Sequence, residues 1–229
     1  MKKNQLQSKP EREDECVDSS SASMQQGSAK LAVLAAIWLA VVGAVTIRMA
    51  AYSATAGAAV ASPAEWPGHS GIERRDGLPT LVMFAHPRCP CTRASLGELE
   101  RLMAAAAGRV TTRVLFIRPA GMTSDWAQTD LWRMASAIPG VTVHQDDSGA
   151  ESTRFGAGTS GHTVLYDAAG RLLFQGGITL ARGHAGDNPG RGAVEALLGG
   201  ALFDRATTPV FGCDLFEPGC QTGGELCTP

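Results

Sequence analysis

Polar and apolar blocks follow one another along the first part of the chain, before any globular pattern begins. Residues 1–28 are polar and rich in serine, and we predict a disordered tail because such a segment buries too little apolar surface to fold. Residues 29–51 hold an uncharged apolar run, from 31 to 47, which approaches the length of a membrane-spanning helix. Residues 52–77 are rich in Ala, Ser, Gly and Pro and are predicted to be a linker.

Basic residues on either side of the apolar run predict its orientation. Five precede it, and Arg48 is the only one that follows it before Arg74. Because basic flanks stay in the cytoplasm, we expect a single-pass anchor in the cytoplasmic (inner) membrane, with the N-terminus inside and the main domain outside, in the periplasm. A cleaved signal peptide is the main alternative, since Ala59-Val60-Ala61 has the form of a cleavage site. The anchor is favoured because the polar segment before the run is long and carries five acidic residues.

In residues 78–200 the hydrophobic period switches between that of strands and that of helices. The order of these elements predicts parallel crossovers followed by an antiparallel hairpin, in one α/β domain with a central mixed sheet flanked by helices. Residues 201–229 form a cysteine-containing C-terminal tail. The predicted strands are 80–86, 110–117, 141–144, 163–166 and 172–175, and the predicted helices are 90–107, 126–137 and a last one that Asn188-Pro189 opens.

Composition and charge argue against several classes of function. The chain has 229 residues, six cysteines and a formal net charge of −2. A nearly neutral chain gives no reason to expect a nucleic-acid partner, and no glycine-rich phosphate loop indicates a nucleotide. The cysteines are too sparse for a disulfide-scaffold miniprotein. Five of the six fall in two clusters, however, and this indicates redox or metal chemistry.

Cys89-Pro90-Cys91 lies where the first predicted strand ends and a helix begins. Pro90 suits the first helical position, which makes Cys89 the capping residue and places Cys91 in the first turn. Free N–H groups and the positive end of the helix dipole stabilise a thiolate there, so the pKa of Cys89 should be low. Arg88 and Arg93 add positive charge. We therefore predict Cys89 as the attacking thiolate and Cys91 as the first resolving thiol, with no cofactor required.

The tail holds Cys213, Cys220 and Cys227, evenly spaced by seven residues among Gly and Pro. This spacing matches no standard zinc signature. One interpretation is a local disulfide that staples a loop-rich tail. The other makes Cys213 a resolving or coordinating thiol for the Cys89 centre, and both remain open at this point.

Three strings of sequence carry a resemblance: HPRCPCTRASL around the cysteine pair, GGITLARGHAGDN after the predicted hairpin, and VFGCDLF in the tail. Together with the order of the elements, they resemble the thioredoxin-like superfamily, its membrane-anchored bacterial branch, and within that the RedB-type proteins. The resemblance covers about residues 78–198. It implies a thioredoxin-like fold, a thiol–disulfide oxidoreductase activity, and protein thiols, protein disulfides or another redox protein as partners.

Two departures from the family pattern affect the expected chemistry. One residue separates Cys89 from Cys91 where the family has two, and side chains at i and i+2 of a helix do not face each other, so a disulfide between them should be strained. The family also has a cis-proline before the hairpin strand, where this chain has His162. A histidine there adds a group that can bind a proton or a metal.

The same residues support two further hypotheses. His86 and His162 with Cys89 and Cys91 offer the mixed imidazole and thiolate ligands that copper(I) or zinc accepts, so the chain could be a soft-metal binding or delivery module. A non-catalytic anchored domain that docks a partner is the third hypothesis. The metal content of the purified protein separates the first two.

Overall fold

The computed structural model describes residues 18–58, 60–106, 108–201 and 206–216. Helix α1 spans Asp18–Ala54 and therefore begins inside the segment predicted to be disordered and ends inside the predicted linker. Within the described residues, one helix is long and apolar enough to cross a membrane, at Ala29–Ala54, with a mean hydropathy of 2.2. A signal sequence meets the same criterion. The chain divides into two units, Met1–Ala50 and Ala51–Pro229, and the second contains the sheet.

One mixed sheet of six strands forms the centre of the second unit, in the order β3-β2-β1-β4-β5-β6. Strand β1 pairs in parallel with β2, and β2 with β3, whereas β4 runs antiparallel to both β1 and β5. The strands are β1 (Thr80–Ala85), β2 (Thr111–Arg118), β3 (Val141–Asp147), β4 (His162–Tyr166), β5 (Leu172–Gly176) and β6 (Ala206–Thr207). The helices after α1 are α2 (Pro90–Ala106), α3 (Asp130–Ser136), α4 (Ala150–Arg154) and α5 (Pro189–Leu198), with a 3-10 helix at Ser124–Ala127.

Both faces of the sheet are covered, which explains the continuous apolar sequence of β1. All six of its residues are buried. On one face, Met83 packs in a cluster with residues of α2, α3 and α5, and the spacing of Leu96, Leu99 and Leu102 on α2 gives that helix its buried stripe. On the other face, Phe84 packs with Phe155, Tyr166 and Leu215. The predicted α/β architecture with parallel crossovers and a hairpin is confirmed.

Part of the segment predicted as a linker, 52–77, packs against the sheet. The ring of Trp66 meets the rings of Phe155 and Tyr166 edge to face, at centroid distances of 5.0 and 5.2 Å. The backbone N–H of Leu172 donates to the carbonyl of Ala64 at 2.9 Å. The packing of one large, partly buried aromatic ring thus holds a segment of loop-like composition on the domain.

The region between β2 and β4 also differs from prediction. The single helix expected at 126–137 is divided into the 3-10 helix and α3. Strand β3 is longer than expected, and helix α4 was not predicted. The carboxylate of Asp146 is buried at the start of α4, where it accepts from the N–H groups of Glu151 and Ser152 at 2.8 and 2.9 Å. A carboxylate of β3 thus caps a helix that is too short to show a hydrophobic period.

Candidate thiol site

Cys89 lies in the loop that joins β1 to α2, directly before the first helical residue, Pro90. Its N–H donates to the carbonyl of His86 at 3.2 Å, and its carbonyl accepts from the N–H of Thr92 at 3.1 Å. The residue is only 1% exposed. The predicted nucleophile is therefore at the predicted helix start, but it is covered rather than open to solvent.

The cover is the C-terminal segment of residues 212–216. This segment runs antiparallel to the loop before β4, with a bridge between Thr159 and Asp214. The N–H of Ser160 donates to the carbonyl of Cys213 at 2.8 Å, and the N–H of Leu215 donates to the carbonyl of Gly158 at 2.9 Å. This backbone pairing brings a thiol from the far end of the domain to the start of α2.

The Sγ atoms of Cys89 and Cys213 lie 2.8 Å apart, and the N–H of Cys213 donates to Cys89 Sγ at 3.4 Å. The side-chain hydrogen bond between the two thiols is the main cause that lowers the pKa of Cys89 to about 4, against the opposing effect of burial. The hydroxyl and N–H of Thr92 lower it further. The same bond, with burial, raises the pKa of Cys213. Two sulfurs thus share one proton, and the negative charge resides on Cys89.

Cys91 is partly exposed and lies in the first turn of α2. Burial is the largest cause that raises its pKa, and the charge of Cys89 raises it further. The positive charge of Arg182 opposes that rise at Cys91 and at Cys213. A side-chain hydrogen bond with Cys89 also raises the pKa of Cys91, so both candidate resolving thiols lie beside Cys89. The one whose sulfur lies 2.8 Å from Cys89 Sγ is Cys213.

Arg182 is a residue that the sequence did not single out. Its Nη1 donates to the carbonyl of Gly212, directly before Cys213, and its Nε donates to the carbonyl of Thr55 at 3.2 Å. The loop that follows Arg182 is fixed by Glu98, a fully buried carboxylate of α2. Glu98 accepts from the N–H of Gly186 at 2.7 Å and pairs with Arg191 at 2.9 Å. A signal for Arg182 was absent because a lone arginine in a polar loop has no local pattern.

Hydroxyl groups fix the loop before Cys89 to the loop before β4. Ser160 Oγ accepts from the N–H of His86 at 2.8 Å and lies 2.7 Å from Thr92 Oγ1. Gly161, with φ of 91°, donates its N–H to the carbonyl of Phe84 at 2.7 Å. These bonds set the distance between the two loops that carry the sulfurs, and neither Ser160 nor Thr92 was predicted as a site residue.

The two histidines of the metal hypothesis are held by other partners. His86 packs edge to face on Trp126, and its Nδ1 accepts from the N–H of Arg88 at 3.2 Å. His162 is buried, its Nε2 lies 3.1 Å from Ser62 Oγ, and burial lowers its pKa to about 4. Among the described residues, no three His, Cys, Asp or Glu side chains are grouped to hold a metal ion. Cys16, Cys220 and Cys227 lie outside the described residues.

The peptide bond that precedes His162 is trans, as are the others in the described part of the chain. Its imidazole contacts Ser62 and the ring of Phe84, whose centroid is 6.4 Å away. The hypothesis that His162 joins the cysteine pair finds no contact in its favour. Its backbone remains at the start of β4, paired in register with Phe84.

Comparison with solved structures gives several similar folds. A hypothetical protein from Sinorhizobium meliloti 1021 has 21% identity and a TM-score of 0.52, and the match covers 70% of this chain and 93% of that chain. An uncharacterized conserved protein from Geobacillus kaustophilus has 17% identity and a TM-score of 0.51, with 71% and 92% covered. The fold is thioredoxin-like. At these identities the likeness establishes the fold alone.

A more distant match is a secreted disulfide oxidoreductase from Mycobacterium tuberculosis that is homologous to E. coli DsbE. It has 18% identity and a TM-score of 0.39, with 55% of this chain and 84% of that chain covered. No model of a protein family matches the chain, and neither does any curated protein. The assignment of function therefore depends on the residues of the site.

Proposed function

We propose that the chain is a thiol–disulfide oxidoreductase whose redox pair is Cys89 and Cys213. The observation that carries the proposal is the 2.8 Å contact between the two sulfur atoms, made by residues 124 positions apart in the sequence. A thiolate at a helix start is a competent nucleophile, and a second thiol in contact with it can resolve the product. At 2.8 Å, no third atom fits between the two sulfurs.

The exchange follows from the two pKa values. In the reduced protein, the Cys89 thiolate attacks one sulfur of a substrate disulfide and forms a mixed disulfide, while the other substrate sulfur leaves as a thiolate. Cys213, once deprotonated, attacks Cys89 Sγ, forms the Cys89–Cys213 disulfide and releases the second substrate sulfur. Two electrons pass from the protein to the substrate, and the same steps reverse when the oxidised protein meets a dithiol. No bound cofactor is needed because only sulfur atoms exchange electrons.

This assignment changes the role that the sequence suggested for Cys91. Cys91 lies two residues after Cys89 on the same helix, which is unfavourable geometry for a disulfide. Cys213 reaches the same sulfur from another segment without that constraint. Cys91 then serves as an alternative thiol on the exposed side of the site, in keeping with the Cys-Pro-Cys centre and the RedB-type resemblance.

The proposed location is the outer side of the cytoplasmic membrane, with α1 as a single-pass anchor. An apolar span with basic residues before it supports this arrangement. A disulfide-forming pair also suits an oxidising compartment. Protease added to intact spheroplasts should digest the domain, and protection of the domain would reverse this orientation.

The test of the redox pair is a titration of the full chain in detergent with mixtures of reduced and oxidised dithiothreitol. Trapped protein is then digested and its disulfides are mapped by mass spectrometry. We expect a reversible Cys89–Cys213 disulfide in the wild type and in Cys91→Ala, the matched control, and none in Cys213→Ala. A Cys89–Cys91 disulfide that titrates in all chains with both cysteines, or no reversible disulfide at Cys89, would contradict the proposal.

A further inference from the structure

The loop of residues 158–160 presents backbone groups beside Cys89, and the chain itself occupies them. The N–H of Ser160 and the carbonyl of Gly158 bond to Cys213 and Leu215 in the manner of neighbouring antiparallel strands. Main-chain bonds of this kind accept any extended polypeptide, because they do not read side chains. The resident segment, residues 212–215, therefore marks a surface on which another strand fits.

A partner can reach Cys89 only if this segment leaves. Cys89 is 1% exposed, and Cys213 lies directly on its sulfur. An in-line attack on a disulfide needs space along the line of the two substrate sulfurs, and that space is taken by Cys213. When the segment leaves, it exposes the sulfur and the strand-pairing groups of residues 158–160 together.

The surroundings of Gly212 limit which residue a replacing strand can have at this position. A Cβ atom at this position would lie 1.9 Å from the carbonyl oxygen of Ser160 and 2.9 Å from its carbonyl carbon. Both atoms are backbone atoms that anchor the start of β4, so they cannot move aside as a flexible side chain would. A strand that places a cysteine on Cys89 must therefore have glycine at the preceding position.

Arg182 adds a second main-chain contact at the position of Gly212. Its guanidinium donates to the carbonyl of Gly212 and is itself fixed by the carbonyl of Thr55. A backbone carbonyl at this point is common to every peptide, so a replacing strand would meet the same donor. The charge of Arg182 also favours the thiolate form of a cysteine at the position of Cys213.

We propose that residues 158–160 form a strand-pairing site for an extended polypeptide with a Gly-Cys sequence, which displaces the chain's own Gly212-Cys213 from Cys89. The inference rests on the proposed function and names its substrate class. The partner's cysteine arrives in a disulfide, Cys89 attacks it, and the partner's other sulfur leaves as a thiolate. The returning Cys213 thiolate then attacks Cys89 and releases the partner's cysteine, so that the Cys89–Cys213 disulfide forms and the partner is reduced.

The test uses two synthetic peptides and the reduced full chain with Cys213→Ala in detergent. One peptide has the sequence Val-Phe-Gly-Cys-Asp-Leu-Phe, and the other has alanine in place of the glycine. Each cysteine carries thionitrobenzoate in a mixed disulfide, whose release is followed by absorbance. The rate of the double variant, Cys89→Ala with Cys213→Ala, is measured in the same way and subtracted. This removes the contribution of the other thiols to the rate.

We expect the Gly-Cys peptide to react with Cys89 at least about tenfold faster than the Ala-Cys peptide, because only glycine fits against Ser160. Equal rates for the two peptides, with Cys89 still reactive toward glutathione disulfide, would overturn this inference and leave the proposed function standing. Absence of reaction at Cys89 with glutathione disulfide and with both peptides would overturn the proposed function, and the inference with it.

A second variant tests displacement in the chain itself. Gly212→Ala should push residues 212–215 away from Ser160, so that a bulky maleimide modifies Cys89 about tenfold faster at about pH 9, where the thiolate fraction does not limit the rate. Gly192→Ala is the matched control, because a Cβ there has nothing within 4 Å. An unchanged rate in folded Gly212→Ala protein would show that the segment does not depend on this fit, and would contradict the proposal.

Discussion

Two segments flank the thioredoxin-like domain, and both pack on it in different ways. The segment before it, residues 61–74, adds aromatic packing to its backbone bonds: Trp66 joins an aromatic cluster and Ser62 bonds to His162. The segment after it, residues 212–216, also pairs through its backbone and buries Leu215, and it contributes a thiol. Both segments add to the core, and the second in addition completes a reactive centre.

Segments of loop-like composition can therefore contribute to a domain by separate physical means. Replacing a packed aromatic side chain by alanine leaves a cavity, which lowers the free energy of unfolding by about 3–5 kcal/mol. A pair of backbone hydrogen bonds contributes about 1 kcal/mol each and exchanges readily with other strands. Stability and reactivity should therefore respond to different mutations in the two segments.

The largest effect should come from removing the thiol of the second segment. Cys213→Ala takes away the hydrogen-bond partner that does most to lower the pKa of Cys89. We expect the thiolate-to-thiol ratio of Cys89 near pH 5 to fall about a thousandfold, equivalent to three pH units. Thiolate absorbance against pH, with Cys89→Ala as the blank, measures it.

The control for this measurement is Cys91→Ala. The bonds that lower the pKa of Cys89 come from Cys213 and Thr92, and Cys91 interacts with Cys89 without being among them, so its removal should move the Cys89 curve much less than removal of Cys213 does. A Cys89 midpoint that rises equally in both variants would mean that the contact with Cys213 has no special role.

The next effect concerns the first segment. Trp66→Ala removes a ring packed between Phe155 and Tyr166 and should lower the free energy of unfolding by about 3 kcal/mol. The Cys89 titration should stay where it is, because none of these rings contacts the sulfurs. Exposed Glu73→Ala on the same segment is the control for unfolding. A shift of the Cys89 titration curve in Trp66→Ala would show that the first segment also controls the thiol, and would contradict the separation of roles.

The smallest effect is a pH dependence that acts through His162 and the first segment. Burial lowers its pKa to about 4, against 6.5 in the unfolded chain. Between these values the unfolded state binds more protons, so stability falls as pH falls, by about 2 kcal/mol from pH 7 to pH 5. In His162→Gln this slope should become shallower.

Unfolding in denaturant at both pH values measures that slope. The exposed histidine of the same segment, His69→Gln, provides the comparison. A slope that survives in His162→Gln would assign the acid sensitivity to another group.

Local pattern was enough to predict the central elements. Pro90 at a strand-to-helix junction placed the start of α2, and the Asn188-Pro189 pair placed the start of α5, where Asn188 accepts from the N–H of Arg191 at 2.8 Å. The hairpin strands β4 and β5 follow the predicted ones within one residue. These features depend on caps and short periods that lie within a few neighbouring residues.

The partner of Cys89 could not be derived in that way. The even spacing of Cys213, Cys220 and Cys227 suggested a tail staple as readily as a resolving thiol. What decides is the close fit of Gly212 against Ser160, a contact between residues far apart in sequence. Backbone pairing of this kind leaves no hydrophobic period, and its one trace is the glycine before the cysteine.

The long separation of Cys89 and Cys213 in the sequence has a consequence during protein synthesis. Cys213 comes 124 residues after Cys89. Because a protein is made from its N-terminus, a growing chain holds Cys89 and Cys91 well before it holds Cys213, β4 or the loop that receives the last segment. Pairing with Cys213 therefore becomes available only once the sheet is complete. An interrupted chain keeps Cys89 unmatched, so the state of this one thiol distinguishes finished molecules from unfinished ones.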